Sequence, residues 1–379
     1  MDRTSIVFTG DIGFDRHMDK KWKDEQLFSQ EVLDFFHSAD HVCLNVEGAL
    51  INATGDGSKG MLFHCMDPEA VGVFQKLGAD LWSIGNNHTM DAGAAGVINT
   101  HRIAKEQKVQ AFGGGIDLNE ASAPAYLPEA GGIGLIGVTY MNGSVAATDT
   151  EPGVFRWDNW ELIQRRIAEI KAKCRWCVVC VHGGEEFVAM PLPYVRERYL
   201  KFLALGADVV VGHHPHVPEN YELLPNGKKI FYSLGNFIFD TNYQRAHLYT
   251  DTGILLKLIF TEDSVAFEAM GTKIDRTCER IGAGSLPDIF TNIPAEEYAL
   301  LSPLNVKAFF AEDLKTVLHL HPEYADRPEG WIRYNRTEEY FPGAHMDPDY
   351  LRPIADKAED GTWQQSKLEK VKAYLLRLL

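Results

Sequence analysis

Short, almost wholly apolar segments alternate with amphipathic, helix-like segments from the start of the chain to about residue 275. A strand that is buried on both faces reads as a continuous apolar run, whereas a helix at the surface keeps one polar side. The alternation therefore predicts an α/β fold whose sheets are covered by helices. The strand-like segments are 6–9, 42–46, 81–84, 133–138, 178–181, 209–212 and 230–233. The helix-like segments between them are 29–38, 68–77, 94–105, 160–173 and 194–205.

The pattern changes towards the end of the chain. Segments 253–260 and 265–273 alternate polar and apolar residues, which predicts an antiparallel pair joined by a short acidic turn. After about residue 280, proline, tyrosine and acidic residues become frequent and helix-like segments dominate. We therefore predict a sheet-containing domain over 1–280 and a helical C-terminal extension over 281–379.

Net charge excludes several classes of partner. Acidic residues outnumber basic ones by 53 to 37, so the chain of 379 residues carries a formal charge of −16. This balance argues against a nucleic-acid partner and against an anionic membrane surface. The sequence has no apolar run of about 18 residues, so we predict no transmembrane segment. It also begins without the apolar core of a signal peptide, which favours the cytoplasm.

Three cysteines have the spacing of a metal-binding signature. Cys174, Cys177 and Cys180 form a C-x2-C-x2-C pattern, which also occurs in iron–sulfur and zinc sites. The alternative is that they are core residues, because residues three apart in a strand point to opposite faces and cannot meet at one ion. The apolar context of Cys177 and Cys180 favours core cysteines in a reducing compartment.

Polar residues with metal-ligand chemistry follow five of the predicted strands. The carboxyl ends of strands are where open α/β sheets place their sites. Three histidines within residues 213–216 form the strongest signal, since a His-x-His pair beyond a strand can direct two imidazoles into one pocket. Asp11 is a weak signal on its own, because an aspartate at such a place can instead cap a turn. The predicted ligand set is Asp11, Glu47, Asn87, His182, His214 and His216.

This mixture of donors indicates the kind of metal. Carboxylates, an amide oxygen and imidazoles together suit Mn, Fe or Zn better than Mg or Ca, which prefer shells of oxygen alone. The number of donors is sufficient for two divalent ions. A pair of ions about 3.5–4 Å apart activates a water and binds a phosphoryl oxygen in many hydrolases.

The order of these motifs resembles the CapA family of capsule (poly-γ-glutamate) synthesis proteins, which is similar in fold to calcineurin-like metallophosphoesterases. The shared motifs are Gly-Asp, Asn-x-Glu, Asn-Asn-His-x-x-Asp, His-x-Gly-x-Glu, Gly-x-His-Pro-His and the stretch Tyr-Ser-Leu-Gly-Asn-Phe-Ile-Phe-Asp that ends at Asp240. The resemblance runs from about residue 6 to residue 240. It implies a four-layer αββα sandwich, with two sheets between helices.

The resemblance also implies metal-binding roles. Asp11 and His216 would bind a first ion, Glu47 would bridge to the second, and the second would be completed by the remaining ligands, Asn87, His182 and His214. Phosphoesterases usually carry Asp-x-His at the first motif, whereas here Gly13 occupies the histidine position, so the first ion would lose an imidazole. Glycine also replaces a common tryptophan at Gly183, which predicts a more open pocket wall.

Three further residues receive catalytic roles from the resemblance. His88 would be a general acid or would orient the oxyanion, without binding metal. Asp91 would orient His88 or cap the following helix. Arg16 would anchor an anionic group, or it would be an ordinary surface arginine. His213, beside the ligand pair, would contact the ligands without binding metal itself.

Three functions remain open at this point. The first is a metal-dependent hydrolase that acts on a phosphoester of a small-molecule or polymer anionic substrate. The second is a role in making or processing a γ-glutamyl polymer. The third is a non-enzymatic accessory of that pathway, which the retention of all six ligands disfavours. The acidic surface and the absence of a predicted membrane anchor weaken a direct role in capsule synthesis.

Overall fold

A computed structural model describes residues 3–52, 63–140, 144–320 and 367–378. Most strands fall into two sheets. Sheet I contains, from edge to edge, Arg280–Gly284, Val265–Asp275, Thr252–Phe260, Thr4–Ile12, His41–Val46, Leu81–Ser83 and Gln110–Phe112, with Asn236–Ile238 paired to the end of Thr4–Ile12. Sheet II contains, in the same sense, Tyr221–Leu223, Lys229–Phe231, Val209–His213, Trp176–His182, Ile133–Thr139 and Ala125–Leu127. Two short ladders pair Ala49–Leu50 with Cys65–Met66 and Gly114–Gly115 with Gly153–Val154.

Helices cover the outer faces of the two sheets. The α-helices are Gln30–His37, Val71–Lys76, Gly93–Glu106, Leu118–Ala121, Trp160–Lys173, Pro193–Ala204, Asn242–Arg245, Ala295–Leu320 and Lys367–Arg377. Single 3-10 turns occupy Arg16–Met18, Lys21–Lys23 and Pro68–Ala70. Within the described residues, no helix combines the length and the apolar character that crossing a bilayer requires.

The burial pattern confirms the predicted four-layer αββα sandwich. One apolar cluster fills the space between the sheets and includes Phe8 of sheet I and Val211 of sheet II. A second packs the outer face of sheet I against helices, as with Val42 and Phe36. A third packs the outer face of sheet II in the same way, through contacts such as that of Val179. Side chains that alternate along each strand therefore feed two different cores.

The antiparallel pair predicted near the end of the sheet region is also present, as Thr252–Phe260 and Val265–Asp275. Sheet I continues one strand further, because Arg280–Gly284 pairs with Val265–Asp275. This strand crosses the predicted boundary at residue 280, and it escaped the sequence pattern because it buries a single large apolar residue, Ile281. The division into two domains stays a prediction, and 321–366 of the predicted extension lie outside the described residues.

The two buried cysteines of the C-x2-C-x2-C pattern face opposite ways. Cys177 packs between sheet II and its helices, whereas Cys180 packs between the two sheets. Both are free thiols, as is Cys174. The interpretation as core cysteines is therefore confirmed, and the pattern does not form a metal site.

Candidate metal centre

Glu47 occupies the centre of a cluster of ligand-type side chains. It directly follows the strand His41–Val46 and is fully buried. Its Oε1 lies 3.7 Å from Nε2 of His182, 3.7 Å from Nε2 of His216 and 3.8 Å from Nε2 of His88. Neither carboxylate oxygen has a hydrogen-bond partner among the described residues. A carboxylate buried in this way is strongly disfavoured unless a cation compensates it.

One side of the cluster joins the ends of three neighbouring strands. Asp11 pairs in register with both Asn45 and Asn236. Its Oδ1 accepts a hydrogen bond of 2.8 Å from Asn45 Nδ2. His216 Nδ1 lies 2.9 Å from Asn236 Oδ1 and 3.1 Å from Asp11 Oδ2, so the outer nitrogen is held while Nε2 points towards Glu47. A ligand imidazole is commonly oriented through its second nitrogen in this manner.

The other side of the cluster is built from two strand ends of sheet II and from Asn87, which follows the strand Leu81–Ser83 of sheet I. His182 ends the strand Trp176–His182, and its Nε2 lies 2.9 Å from Asn87 Oδ1. The rings of His182 and His214 have centroids 5.1 Å apart. His214 Nδ1 is buried without a hydrogen-bond partner in the described structure. Sequence analysis grouped these three residues around one ion, and the structure brings them together.

The His-Pro-His motif has a strained backbone. His214 and His216 have φ values of 98° and 58°, in the left-handed region that disfavours residues other than glycine. Such a conformation costs on the order of 1–3 kcal/mol for each residue and persists where the surroundings determine it. Here the backbone N–H of Phe187 donates to the Pro215 carbonyl oxygen at 2.8 Å, which helps to hold the turn. The strain directs both imidazoles into the same cluster.

His88 belongs to a pair of linked histidine–carboxylate contacts. Its Nδ1 lies 2.8 Å from Asp91 Oδ2, as expected if Asp91 orients it. The same oxygen accepts a 2.8 Å hydrogen bond from the backbone N–H of His64. His64 Nδ1 in turn lies 2.6 Å from Asp15 Oδ2, and its ring meets the edge of His88 at a centroid distance of 4.3 Å. Neither His64 nor Asp15 lies within one of the sequence motifs.

Glu186 is a further ligand candidate to which the sequence analysis gave no role. The ligand atoms of Glu186, His214 and His216 lie within 4.8 Å of one another, and so do those of Asp11, Glu47 and His182. The signal was present, since Glu186 is the last residue of the His-x-Gly-x-Glu motif. It adds a carboxylate near His216, a predicted ligand of the first ion, which lacks an imidazole because Gly13 replaces the usual histidine. The grouping by proximity also differs from the predicted assignment to two ions, because it places His182 with Asp11.

Burial sets the charge states of the histidines. It lowers the pKa of His182 well below the ordinary value and that of His214 to about 4, so both imidazoles are neutral and able to ligate. Burial also acts against the charged form of His216, but the carboxylates of Glu47 and Asp11 outweigh it and raise the pKa to about 10. Burial raises the pKa of Glu47 well above its ordinary value, with only partial relief from His216.

The remaining predicted residues lie at the margin of the cluster. Arg16 is exposed, and its guanidinium donates to the Phe63 carbonyl oxygen at 3.2 Å, so its role as an anion anchor stays a prediction. His213 Nε2 lies 2.9 Å from the Thr9 carbonyl oxygen and links sheet II to the strand that carries Asp11.

The prediction that Gly183 opens the pocket wall is wrong. A Cβ at this position would lie 2.5 Å from Tyr140 Cβ and 3.1 Å from the ring of Trp157. These two aromatic side chains fill the space that a tryptophan at position 183 would need. Side chains from elsewhere in the sequence therefore close the wall that the glycine would leave open.

The donor set fits a divalent metal centre. Within the described residues it offers carboxylates with unsatisfied oxygens, neutral imidazoles and an amide oxygen that converge from separate strand ends. Six predicted ligands and Glu186 belong to the cluster, and His88 stands beside it with its second nitrogen held by Asp91. Mixed oxygen and nitrogen donors of this kind suit Mn, Fe or Zn.

Known proteins share the region that carries this cluster. A family model described as "Bacterial capsule synthesis protein PGA_cap" matches residues 5–241. The "PGA biosynthesis protein CapA" of Bacillus subtilis (strain 168) is 32% identical over 250 residues, which cover 64% of this chain and 65% of that protein. The "Capsule biosynthesis protein CapA" of Bacillus anthracis is 26% identical over 257 residues, covering 64% and 62%. The chain thus spans less than two thirds of the length of either relative. The crystal structure of TT1561 of Thermus thermophilus matches with a TM-score of 0.36 and 10% identity, over 74% of this chain and 98% of that one.

Proposed function

The chain belongs to the bacterial capsule synthesis protein (PGA_cap) family, and from that premise we propose that it is a metal-dependent hydrolase acting on a phosphoester. The observation that carries the proposal is the state of Glu47. Its carboxylate is fully buried, lacks hydrogen bonds in the described structure and lies 3.7–3.8 Å from three imidazole nitrogens. These separations are too long for hydrogen bonds. They leave room for cations to share the carboxylate with the imidazoles.

The ligand residues would divide the work as follows. Glu47 would be shared between two ions because it groups with Asp11 and His182 while its Oε1 also lies 3.7 Å from His216 Nε2. His182, Asn87 and Asp11 would bind on one side, and His214, His216 and Glu186 on the other. When bound, such ions supply Lewis-acid activation of a water molecule and of a phosphoryl oxygen.

His88 would handle the proton. Asp91 holds its Nδ1 and leaves Nε2 facing the cluster. Burial lowers the pKa of His88, while the hydrogen bond to Asp91 acts in the opposite direction. Burial is the larger effect, so the pKa of His88 is lowered overall, and Nε2 would have to be protonated again after each donation to a leaving oxygen. The general-acid role thus rests on orientation by a carboxylate, as in other histidine catalysts.

The names of the relatives favour a second candidate substrate. Both are described as capsule or PGA biosynthesis proteins, which points to a γ-glutamyl amide in place of a phosphoester. The same centre could polarise an amide carbonyl, so the donor set does not separate the two reactions. Offering both classes of substrate to the same protein separates the two reactions.

The metal centre can be tested by elemental analysis of the purified protein. We expect Mn, Fe or Zn in the wild type, and reduced content in Glu47→Gln, His214→Ala and Glu186→Gln. The matched controls are Glu262→Gln in the turn after Thr252–Phe260 and His37→Ala at the surface, which should keep the metal. Unchanged metal in Glu47→Gln and His214→Ala would overturn the assignment.

The reaction can be tested with phosphomonoesters, phosphodiesters and γ-glutamyl amides offered to the same metal-loaded protein. Hydrolysis of a phosphoester that is lost in Glu47→Gln supports the first function. Hydrolysis of a γ-glutamyl amide with the same dependence replaces it by the second. No turnover of either class by protein that contains metal would contradict both.

A further inference from the structure

Two loops frame the Glu186 side of the metal centre. Loop 185–192 carries Glu186 and continues through Phe187 into a buried apolar stretch. Loop 241–251, which includes the single-turn helix Asn242–Arg245, crosses next to it, and its Tyr243 hydroxyl donates to Glu186 Oε2 at 3.2 Å. The ring of Phe187 stacks on that of His247 at 3.7 Å. The position of the Glu186 carboxylate therefore depends on both loops.

Loop 185–192 rests on the two C-terminal helices, Ala295–Leu320 and Lys367–Arg377, here called the C-terminal helix pair. Two side chains of the first helix bind its backbone directly. The Tyr298 hydroxyl donates to the Pro191 carbonyl oxygen at 2.7 Å, and Asn305 Nδ2 donates to the Met190 carbonyl oxygen at 2.8 Å. Met190 is fully buried in the apolar cluster that the helix pair forms.

Loop 241–251 rests on the same helix pair. Tyr249 stacks on Tyr374 of the second helix with ring centroids 4.3 Å apart. Beside it, the carbonyl oxygen of Thr250 accepts a 2.8 Å hydrogen bond from Asn236, whose side-chain oxygen lies 2.9 Å from His216 Nδ1. A chain of short contacts thus leads from the second helix to a ligand imidazole.

The opposite side of the centre has a different support. Asp11 lies in a strand of sheet I, Glu47 directly follows another, and His182 ends a strand of sheet II. These strands are anchored by ladders on both sides and by the apolar cores. Asp11, Glu47 and His182 are thus held by strands, whereas Glu186 lies on a loop, and loops without such support move more readily than strands.

We propose that the C-terminal helix pair positions the Glu186, His214 and His216 group of ligands, with Tyr298 and Asn305 as its positioning residues. The inference rests on the proposed function, because it needs the metal centre. The helices to which it assigns a task lie beyond the family match at residues 5–241. It requires that loosening the helix pair weakens one of two metal sites and leaves the other unchanged.

The test uses the full chain and two measurements. Tyr298→Phe removes only the hydroxyl that holds Pro191, and Leu300→Ala is the control, because Leu300 is half exposed on the same helix. Hydrogen–deuterium exchange is followed over 186–192 and over 44–48. Binding of Mn²⁺ is followed by the loss of the free-ion electron paramagnetic resonance signal. Losing one ordinary hydrogen bond predicts about three- to tenfold faster exchange over 186–192 and about three- to tenfold weaker binding at one Mn²⁺ site.

Each outcome decides something different. Faster exchange over 186–192 and one weakened site in Tyr298→Phe, with 44–48 and Leu300→Ala unchanged, supports the inference. Unchanged exchange over 186–192 overturns it, whatever the metal does. Faster exchange with both Mn²⁺ affinities unchanged also overturns it, since the loop would then move without consequence for the ligands. Wild-type protein that binds no Mn²⁺, Fe²⁺ or Zn²⁺ defeats the proposed function instead, and the exchange result still decides whether the helices hold the loop.

Discussion

Replacing Glu47 by glutamine should make the metal-free protein more stable than the wild type and the metal-loaded protein less stable than the wild type. The substitution keeps the volume of the side chain and removes its charge. In the metal-free protein, Glu47 buries a carboxylate that has no hydrogen bond within the described structure. An unsatisfied neutral group costs about 1–3 kcal/mol, and a charged one costs more. The free energy of unfolding of metal-free Glu47→Gln should therefore be about 1 kcal/mol or more above that of the wild type.

The pH dependence of this gain has a definite sign. Burial raises the pKa of Glu47 in the folded protein well above the ordinary 4.5. The folded protein then retains a proton over a range where the unfolded chain has lost it, so the stability of the metal-free wild type falls as pH rises above 4.5. The glutamine variant has no such group. Its advantage should vanish below pH 4.5 and grow as pH rises towards the folded-state pKa.

Added metal should make the wild type more stable than Glu47→Gln. Free Mn²⁺ at 100 times the dissociation constant stabilises the wild type by about 2.7 kcal/mol for each site, and the variant loses most of this gain. The assay is urea unfolding at a series of pH values from about 4.5 upwards, with chelator and with Mn²⁺, in wild type, Glu47→Gln and the exposed control Glu262→Gln. A metal-free variant that is less stable than the wild type at the upper end of this series would refute the account of Glu47 as a carboxyl group whose charged form burial disfavours. Equal stabilisation of both proteins by Mn²⁺ would refute its role as a ligand.

Three other variants test separate parts of the site. His88→Ala should keep its metal and lose about 10²–10⁴-fold in the hydrolytic rate constant, and loss of metal there would contradict the general-acid role. His64→Gln should also keep the metal while the rate falls about tenfold or more, because the ring that packs against His88 would be gone; an unchanged rate with a folded protein would show that the contact is incidental. Gly183→Trp should lower the thermal midpoint and the yield of folded protein, since its Cβ would clash with Tyr140 and its ring with Trp157; a midpoint equal to that of the wild type would contradict the closed wall.

Much of the fold could be predicted because the sheets are buried on both faces. The segment 160–173 appears as the helix Trp160–Lys173, and the antiparallel pair near residue 260 lies where alternation placed it. Some predicted strands were too short at their ends, as with 178–181 inside Trp176–His182, whereas 81–84 and 230–233 extend past the ends of Leu81–Ser83 and Lys229–Phe231. Strand ends carry the polar residues of the site, so they break the apolar pattern that identifies a strand.

The site was predictable where ligands directly follow apolar strands. His64 was missed because its two carboxylate partners are distant in sequence, Asp15 by 49 residues and Asp91 by 27. No local pattern marks such a contact. Glu186 lay within a recognised motif, but it sits four residues beyond its strand, where direction cannot be inferred from alternation.

The convergence of the ligands depends on how closely the strand ends can approach. A Cβ on Gly10 would lie 2.1 Å from the Gly235 carbonyl oxygen, and one on Gly212 would lie 2.0 Å from the Tyr232 carbonyl oxygen. These glycines precede Asp11 and the His-Pro-His turn, so only a residue without a side chain lets the neighbouring backbone pass at those points. The close approach brings Asn236 beside both Asp11 and His216. Packing of the sandwich thus assembles the carboxylates and imidazoles before any cation binds, and the raised pKa of Glu47, which His216 relieves only in part, is the consequence of that assembly.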